Sequence, residues 1–192
     1  MKRLSALALA TTVAVGVAAC SDAPSSPSSL GGGNFNLQLK DSPFTDAKAV
    51  YVTFSSVRVH RTDGDWTPLT FANNATSRTC DLKKLETATD VLGAASLPAG
   101  HYTQVRLVVQ SATLYFDNAS SGAACAPTLT APAGASAALD IPSGEVKLNR
   151  EFDVTATSTM NMLIDFDGNQ SVHQAGPGRY TMSPVISIFS MN

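Results

Sequence analysis

Ala49 to His60 reads AVYVTFSSVRVH, and the fold turns on how it is read. Val50, Val52 and Phe54 fall on even positions, whereas Val57 and Val59 fall on odd ones. A period of two belongs to a half-buried strand, because successive side chains point to opposite faces of a sheet. The change of phase at Ser55-Ser56 predicts a β-bulge, where one extra residue keeps both apolar sets facing the core.

The same alternation spreads in both directions. In NFNLQLK, Phe35, Leu37 and Leu39 share one face, and Asn34, Asn36, Gln38 and Lys40 share the other. DSPFTDAK from Asp41 is a turn, since Asp and Ser bond local backbone and Pro fixes φ. Asp63-Gly64 suits a hairpin turn, after which Trp66, Leu69 and Phe71 continue the sheet. CDLKKLETATDVL, residues 80–92, is the one stretch with helical character. HYTQVRLVVQSATLYF, ALDIPSGEVKL, EFDVT, TMNMLIDFD and RYTMSPVISIF then read as strands, and DNASSGAACAPTLTAPAGAS as a long loop of small residues. LPAGHYT and GPGRYT each place glycine two positions before tyrosine at a strand entrance. Tyr102 is the better placed to bond its hydroxyl back to upstream backbone, as in a tyrosine corner. Short strands between Gly/Pro turns predict an all-β fold: a single antiparallel β-sandwich, Greek-key (immunoglobulin-like) or transthyretin-like, with little helix.

The N-terminus carries a different message. Lys2 and Arg3 precede an apolar run from Leu4 to Gly16, and Val17-Ala18-Ala19-Cys20 follows. A charged start, a short apolar run and a small-residue cleavage site describe a secretory signal peptide. VAAC resembles the bacterial lipobox, in which cysteine receives a diacylglyceryl group and the signal is cut before it. Ser21 to Gly33 hold five serines, two prolines and three glycines, a composition that buries nothing and suits a flexible tether. Three regions are expected: a lipoprotein signal peptide at 1–19, lipidated Cys20 and tether at 20–33, and one β-sandwich domain at 34–192. Ser21, rather than Asp, after the cysteine predicts the outer membrane of a bacterial cell envelope.

Loss of Lys2 and Arg3 with the signal takes the formal charge from -2 to about −4. No run of Lys or Arg is left, which argues against nucleic acid or an anionic membrane surface as a partner. Attachment to a membrane is expected through the lipid alone. Cys80 and Cys125 would occupy a compartment that permits disulfides. They either pair or stand as a buried thiol at Cys80 and an exposed one at Cys125.

LKDSPFTDAKAVYVTFSSVRVH, Trp66, DLKKL, LPAGHYTQVRL, IPSGEVKL, FDVT, IDFDGNQSV and RYTMSPVI follow one another from the first strand to Ile188. In that order they resemble the domain of unknown function 4382. The resemblance implies a bacterial lipoprotein with one β-rich domain behind a tether, and it supplies no reaction. The cysteine pair and the alanine-rich insert from Ala123 to Ala138 lie outside the family's pattern.

Motifs for catalysis are missing: GxSxG, HExxH, a phosphate-cradling GxxxxGK[ST] loop and CxxC do not occur. His60, His101 and His173 are scattered over strand ends and turns. In DFDGN, Asp165, Asp167 and Asn169 have the spacing of the first EF-hand ligands, but Gln170 and Gly176 stand where glycine and glutamate are required. An oxygen-ligand calcium site from Asp41, Asp165 and Asp167 is the one metal candidate, set against turn caps and solvated carboxylates; no other cofactor is expected. Trp66, Tyr51 and Tyr115 are candidates for a sugar platform or for cross-strand packing. The expected function is a non-catalytic binding or assembly module for an envelope protein or glycan. The alternatives are a hydrolase assembled from dispersed residues and a structural subunit that joins partners by strand addition.

Overall fold

The protein is described here from a computed structural model covering residues 31–42, 46–64 and 66–192. Lipidation at Cys20 and the signal peptide lie outside the described residues. The strands are β1 (Gly32–Ser42), β2 (Ala49–Arg61), β3 (Trp66–Leu69), β4 (Arg78–Asp81), β5 (Asp90–Pro98), β6 (Gly100–Tyr115) and β7 (Cys125–Ala126). They continue with β8 (Ser136–Asp140), β9 (Glu145–Val154), β10 (Thr159–Asp167), β11 (Val172–Gly176), β12 (Arg179–Met182) and β13 (Ile186–Met191). Two single-turn α-helices, α1 (Leu82–Leu85) and α2 (Gly168–Ser171), and a 3-10 turn at Ala72–Asn74 complete the described elements.

Two sheets pack face to face as a β-sandwich. The smaller runs β13-β10-β1-β5; the larger runs β11-β12-β8-β6-β2-β4-β7, with β3 added to β2 and β9 to β6. The large sheet is built on two long strands, β2 and β6, paired antiparallel along almost their whole length. Each is longer than its other neighbours, so each carries two of them end to end: β4 and β3 on β2, β8 and β9 on β6. The bulge expected in β2 is present. Phe54 pairs with Val109 and Ser56 with Val108, leaving Ser55 as the extra residue. Val50, Val52, Phe54, Val57 and Val59 are all buried as a result. They meet Phe35, Leu37 and Leu39 of β1 and Ile164 and Phe166 of β10 in one core.

The antiparallel expectation needs correction. β1 pairs with β10 in parallel over nine residue pairs, and β12 pairs with β8 in parallel, so both sheets are mixed. Alternation cannot reveal this, because side-chain parity is the same whichever way a neighbour runs. The helix expected in residues 80–92 shrinks to Leu82–Leu85, with Cys80 and Asp81 in β4 and Asp90 to Leu92 in β5. Four residues are too few to hold a helix by propensity; buried Leu82 and Leu85 and the Asp81 cap hold it. The loop at 117–136 contains β7 and the first residue of β8.

The domain starts two residues before the expected boundary at Asn34, since Gly32 and Gly33 belong to β1. Their lack of a side chain serves packing: a Cβ on Gly33 would lie 2.5 Å from the Thr155 carbonyl oxygen. The tyrosine corner forms as expected. Tyr102 is fully buried in front of stacked Phe152, and its hydroxyl donates to the Pro98 carbonyl at 2.9 Å.

Candidate functional site

The three aspartates proposed for calcium are divided between the two faces of the small sheet. Asp41 follows the parity of Phe35, Leu37 and Leu39, and is buried. Asp165 and Asp167 alternate with buried Ile164 and Phe166, and so lie on the outer face. Asp165 accepts from Ser42 Oγ at 3.1 Å and faces Lys40 Nζ at 3.5 Å. Asp167 caps α2, accepting from the Gln170 backbone N–H at 3.0 Å. Among the described residues no group of three or more His, Cys, Asp or Glu is placed to hold a metal. The calcium arrangement is therefore not assembled: the turn-cap and ion-pair roles account for Asp165 and Asp167.

Asp41 is left in an unusual position. It is 2% exposed, and among the described residues neither carboxylate oxygen has a hydrogen-bond partner. Burial pushes its pKa up to about 8; the negative charges of Glu86, Asp165 and Asp167 add to the shift, and Lys83 opposes it.

Cys80 and Cys125 are joined in a disulfide, with Cα atoms 4.1 Å apart. The bond fixes β7 against β4, and the rest of the insert is tied down around it. Lys84 Nζ donates to the Gly122 carbonyl at 2.6 Å, and the Tyr51 hydroxyl to the Thr130 carbonyl at 2.8 Å. Tyr51 is buried beneath this cover and packs edge-on against Tyr115 at 5.0 Å, which removes both from a sugar platform. Among the described residues the exposed aromatic is instead Phe189, the bulged residue of β13, with Lys40 Nζ 4.2 Å over its ring. The histidines stay apart. His60 Nδ1 lies 3.0 Å from Thr103 Oγ1 in the large sheet, His101 sits 2.8 Å from Asp153, and His173 is exposed on β11.

A grouping that the linear sequence hides lies on the outer face of the large sheet. Arg58 of β2 stands directly opposite Arg106 of β6, and Arg106 directly opposite Lys147 of β9. Each cation sits between two buried aliphatic residues: Val57 and Val59, Val105 and Leu107, Val146 and Leu148. Burial of those flanking pairs forces every middle residue outward, because neighbours on a strand face opposite ways. Three cations thus form one row across three strands. Glu145 meets all three, at 3.3 Å from Arg58, 3.5 Å from Arg106 and 3.6 Å from Lys147. Trp66 closes the end of the row. Its ring lies 4.3 Å from the Arg106 guanidinium, 5.2 Å from that of Arg58 and 4.8 Å from His60.

Like charges directly opposite each other destabilise a sheet. Among the described residues one carboxylate partly offsets three cations, and Arg58 Nε is buried without a partner. The absence of a Lys/Arg run was no guide to this clustering. Pairing between strands far apart in sequence gathers the charge, and the signal for it was the triplet valine–cation–aliphatic, present three times as VRV, VRL and VKL.

The class of protein is now defined: a mixed-sheet β-sandwich with a cationic row on one outer face and a disulfide-pinned insert beside it. The chain belongs to the family described as a domain of unknown function (DUF4382), which matches residues 32–184. No curated protein and no solved structure matches the chain.

Proposed function

We propose that the protein is a lipid-anchored, non-catalytic binding module of the bacterial envelope, held by Cys20 at the outer membrane. Its binding surface is the outer face of the large sheet around Arg58, Arg106 and Lys147. The observation that carries this reading is the cross-strand row itself. Among the described residues, three cations share one acidic partner on a face where the fold requires only that the side chains point outward. Alternating charges would hold such a face at lower electrostatic cost. VAAC supplies the anchor, and the oxidising compartment implied by export fits the Cys80–Cys125 disulfide.

Two measurements test the two halves. Cys20→Ser should move the protein from the detergent phase to the aqueous phase; unchanged partitioning rejects the anchor. For the surface, the Cys20→Ser protein, freed of its lipid and carrying either the wild-type or the altered face, is sedimented with isolated envelopes that lack the endogenous copy. Arg106→Gln with Lys147→Gln should release the protein, whereas equal retention of wild type and variant rejects this face as the binding surface.

A further inference from the structure

We infer that the ligand of the cationic face is an acidic polysaccharide whose charge is carried by uronate carboxylates; the inference rests on the binding-module reading. The geometry points there in three ways. First, the backbone positions that carry the cations are evenly spaced, one on each of three adjacent strands. Adjacent strands lie about 4.8 Å apart, so the anchoring positions of Arg58, Arg106 and Lys147 advance in steps close to that of a pyranose chain. Second, the groups beside them suit sugar hydroxyls. Gln104 and Asn149, paired with each other across β6 and β9, form the next row along the same face. Gln104 Oε1 also accepts from Arg106 Nη2 at 2.9 Å and Nε at 3.2 Å, which fixes the guanidinium in place. A planar guanidinium of this kind presents parallel N–H groups to a carboxylate.

Third, the face lacks what other anionic partners use. A stacking platform for nucleic-acid bases needs a free aromatic face. The Trp66 ring already carries two guanidinium groups. A lipid surface is gripped by exposed apolar side chains beside the cations. The large exposed hydrophobic residues among those described are Val91, Val185 and Phe189, none of them in this row. The exposures also suit a chain laid across the strands. Lys147 and Arg58 at the two ends are 53% and 34% exposed and Arg106 between them 23%, so a ligand lying across the three strands meets both end cations and passes over the more enclosed central guanidinium.

The test uses polygalacturonate oligosaccharides and the full-length protein in detergent, with binding followed by titration calorimetry. The controls are the same oligosaccharides as methyl esters, which keep the chain and lose the charge, phosphatidylglycerol vesicles, and single-stranded DNA. Polygalacturonate should bind at least tenfold more tightly than any control, and affinity should fall steeply with added salt. Lys147→Gln should weaken binding about tenfold. Glu145→Gln should strengthen it severalfold by removing the competing carboxylate, an effect of opposite sign that a damaged fold cannot produce. Equal binding of the methyl esters, preference for vesicles or DNA, or no binding of polygalacturonate overturns the inference. If envelope retention still depends on Arg106 and Lys147 in that event, the binding-module reading stands and only the ligand class falls. Loss of both rejects the two together.

Discussion

Replacing Asp41 by asparagine should make this protein more stable, and more so as pH rises. Among the described residues the carboxyl is buried without a partner, and burial pushes its pKa up to about 8, against 3.8 for the free side chain. Between those values the folded state holds a proton that the unfolded state has lost, so stability falls as pH rises through this window and levels off above about 8. Each unit of pKa difference corresponds to about 1.4 kcal/mol. The full displacement gives an upper bound of about 6 kcal/mol at high pH, of which about 3–4 kcal/mol develops between pH 5 and 8. Asparagine has the size of the protonated acid and carries no charge, so the Asp41→Asn profile should lack this slope. The assay is urea unfolding at half-unit steps from pH 5 to 9 for both proteins. The difference between the two curves isolates Asp41 from every other titrating group. Parallel curves would refute the reasoning, because they would mean that Asp41 ionises in the folded state as it does in the unfolded chain.

Three further predictions concern the scaffold. Replacing Cys80 and Cys125 together by alanine should cost about 4 kcal/mol in the chain-entropy treatment of a loop this long; urea midpoints measure it, and native alkylation followed by intact-mass analysis should find neither thiol free. Tyr102→Phe removes the hydroxyl that bonds Pro98 and should cost about 1 kcal/mol with the core unchanged, again by urea unfolding. Gly33→Ala places a methyl group 2.5 Å from the Thr155 carbonyl and should cost about 1–3 kcal/mol, whereas a value near zero would show that β1 shifts freely.

Much of this architecture is legible from parity. The phase change in AVYVTFSSVRVH identifies the Ser55 bulge, and the spacing in LPAGHYT identifies the Tyr102 corner, because each depends on residues close together in the chain. Strand direction is a different matter. Nothing local distinguishes β10 lying parallel beside β1 from β10 lying antiparallel, since the two are joined by more than half the chain. The candidate sites divide along the same line. Asp41 continues the odd-numbered face of Phe35, Leu37 and Leu39, so its burial was available from parity, yet its residue type suggested a turn. The row of Arg58, Arg106 and Lys147 needed cross-strand register, which no single strand encodes. The tie between Lys84 and Gly122 depends on the path of the insert, and a run of alanine, serine and glycine does not specify a path.

The place of β1 has a mechanical meaning. The chain enters the domain at Gly32, and Gly32 begins the strand that lies between β10 and β5 in the middle of the small sheet. A pull on that end directed along the strand loads both flanking ladders in shear, so many hydrogen bonds must yield together. An edge strand pulled from one end and across its axis would instead open one bond at a time, like a zip. If the protein is tethered at its N-terminus and bound through the opposite sheet, as proposed, the load path enters at an interior strand held on both sides. Resistance to force is governed by the unfolding rate rather than by equilibrium stability. Substitutions in β1 such as Gly33→Ala should accordingly lower the rupture force by more than their effect on the urea midpoint suggests.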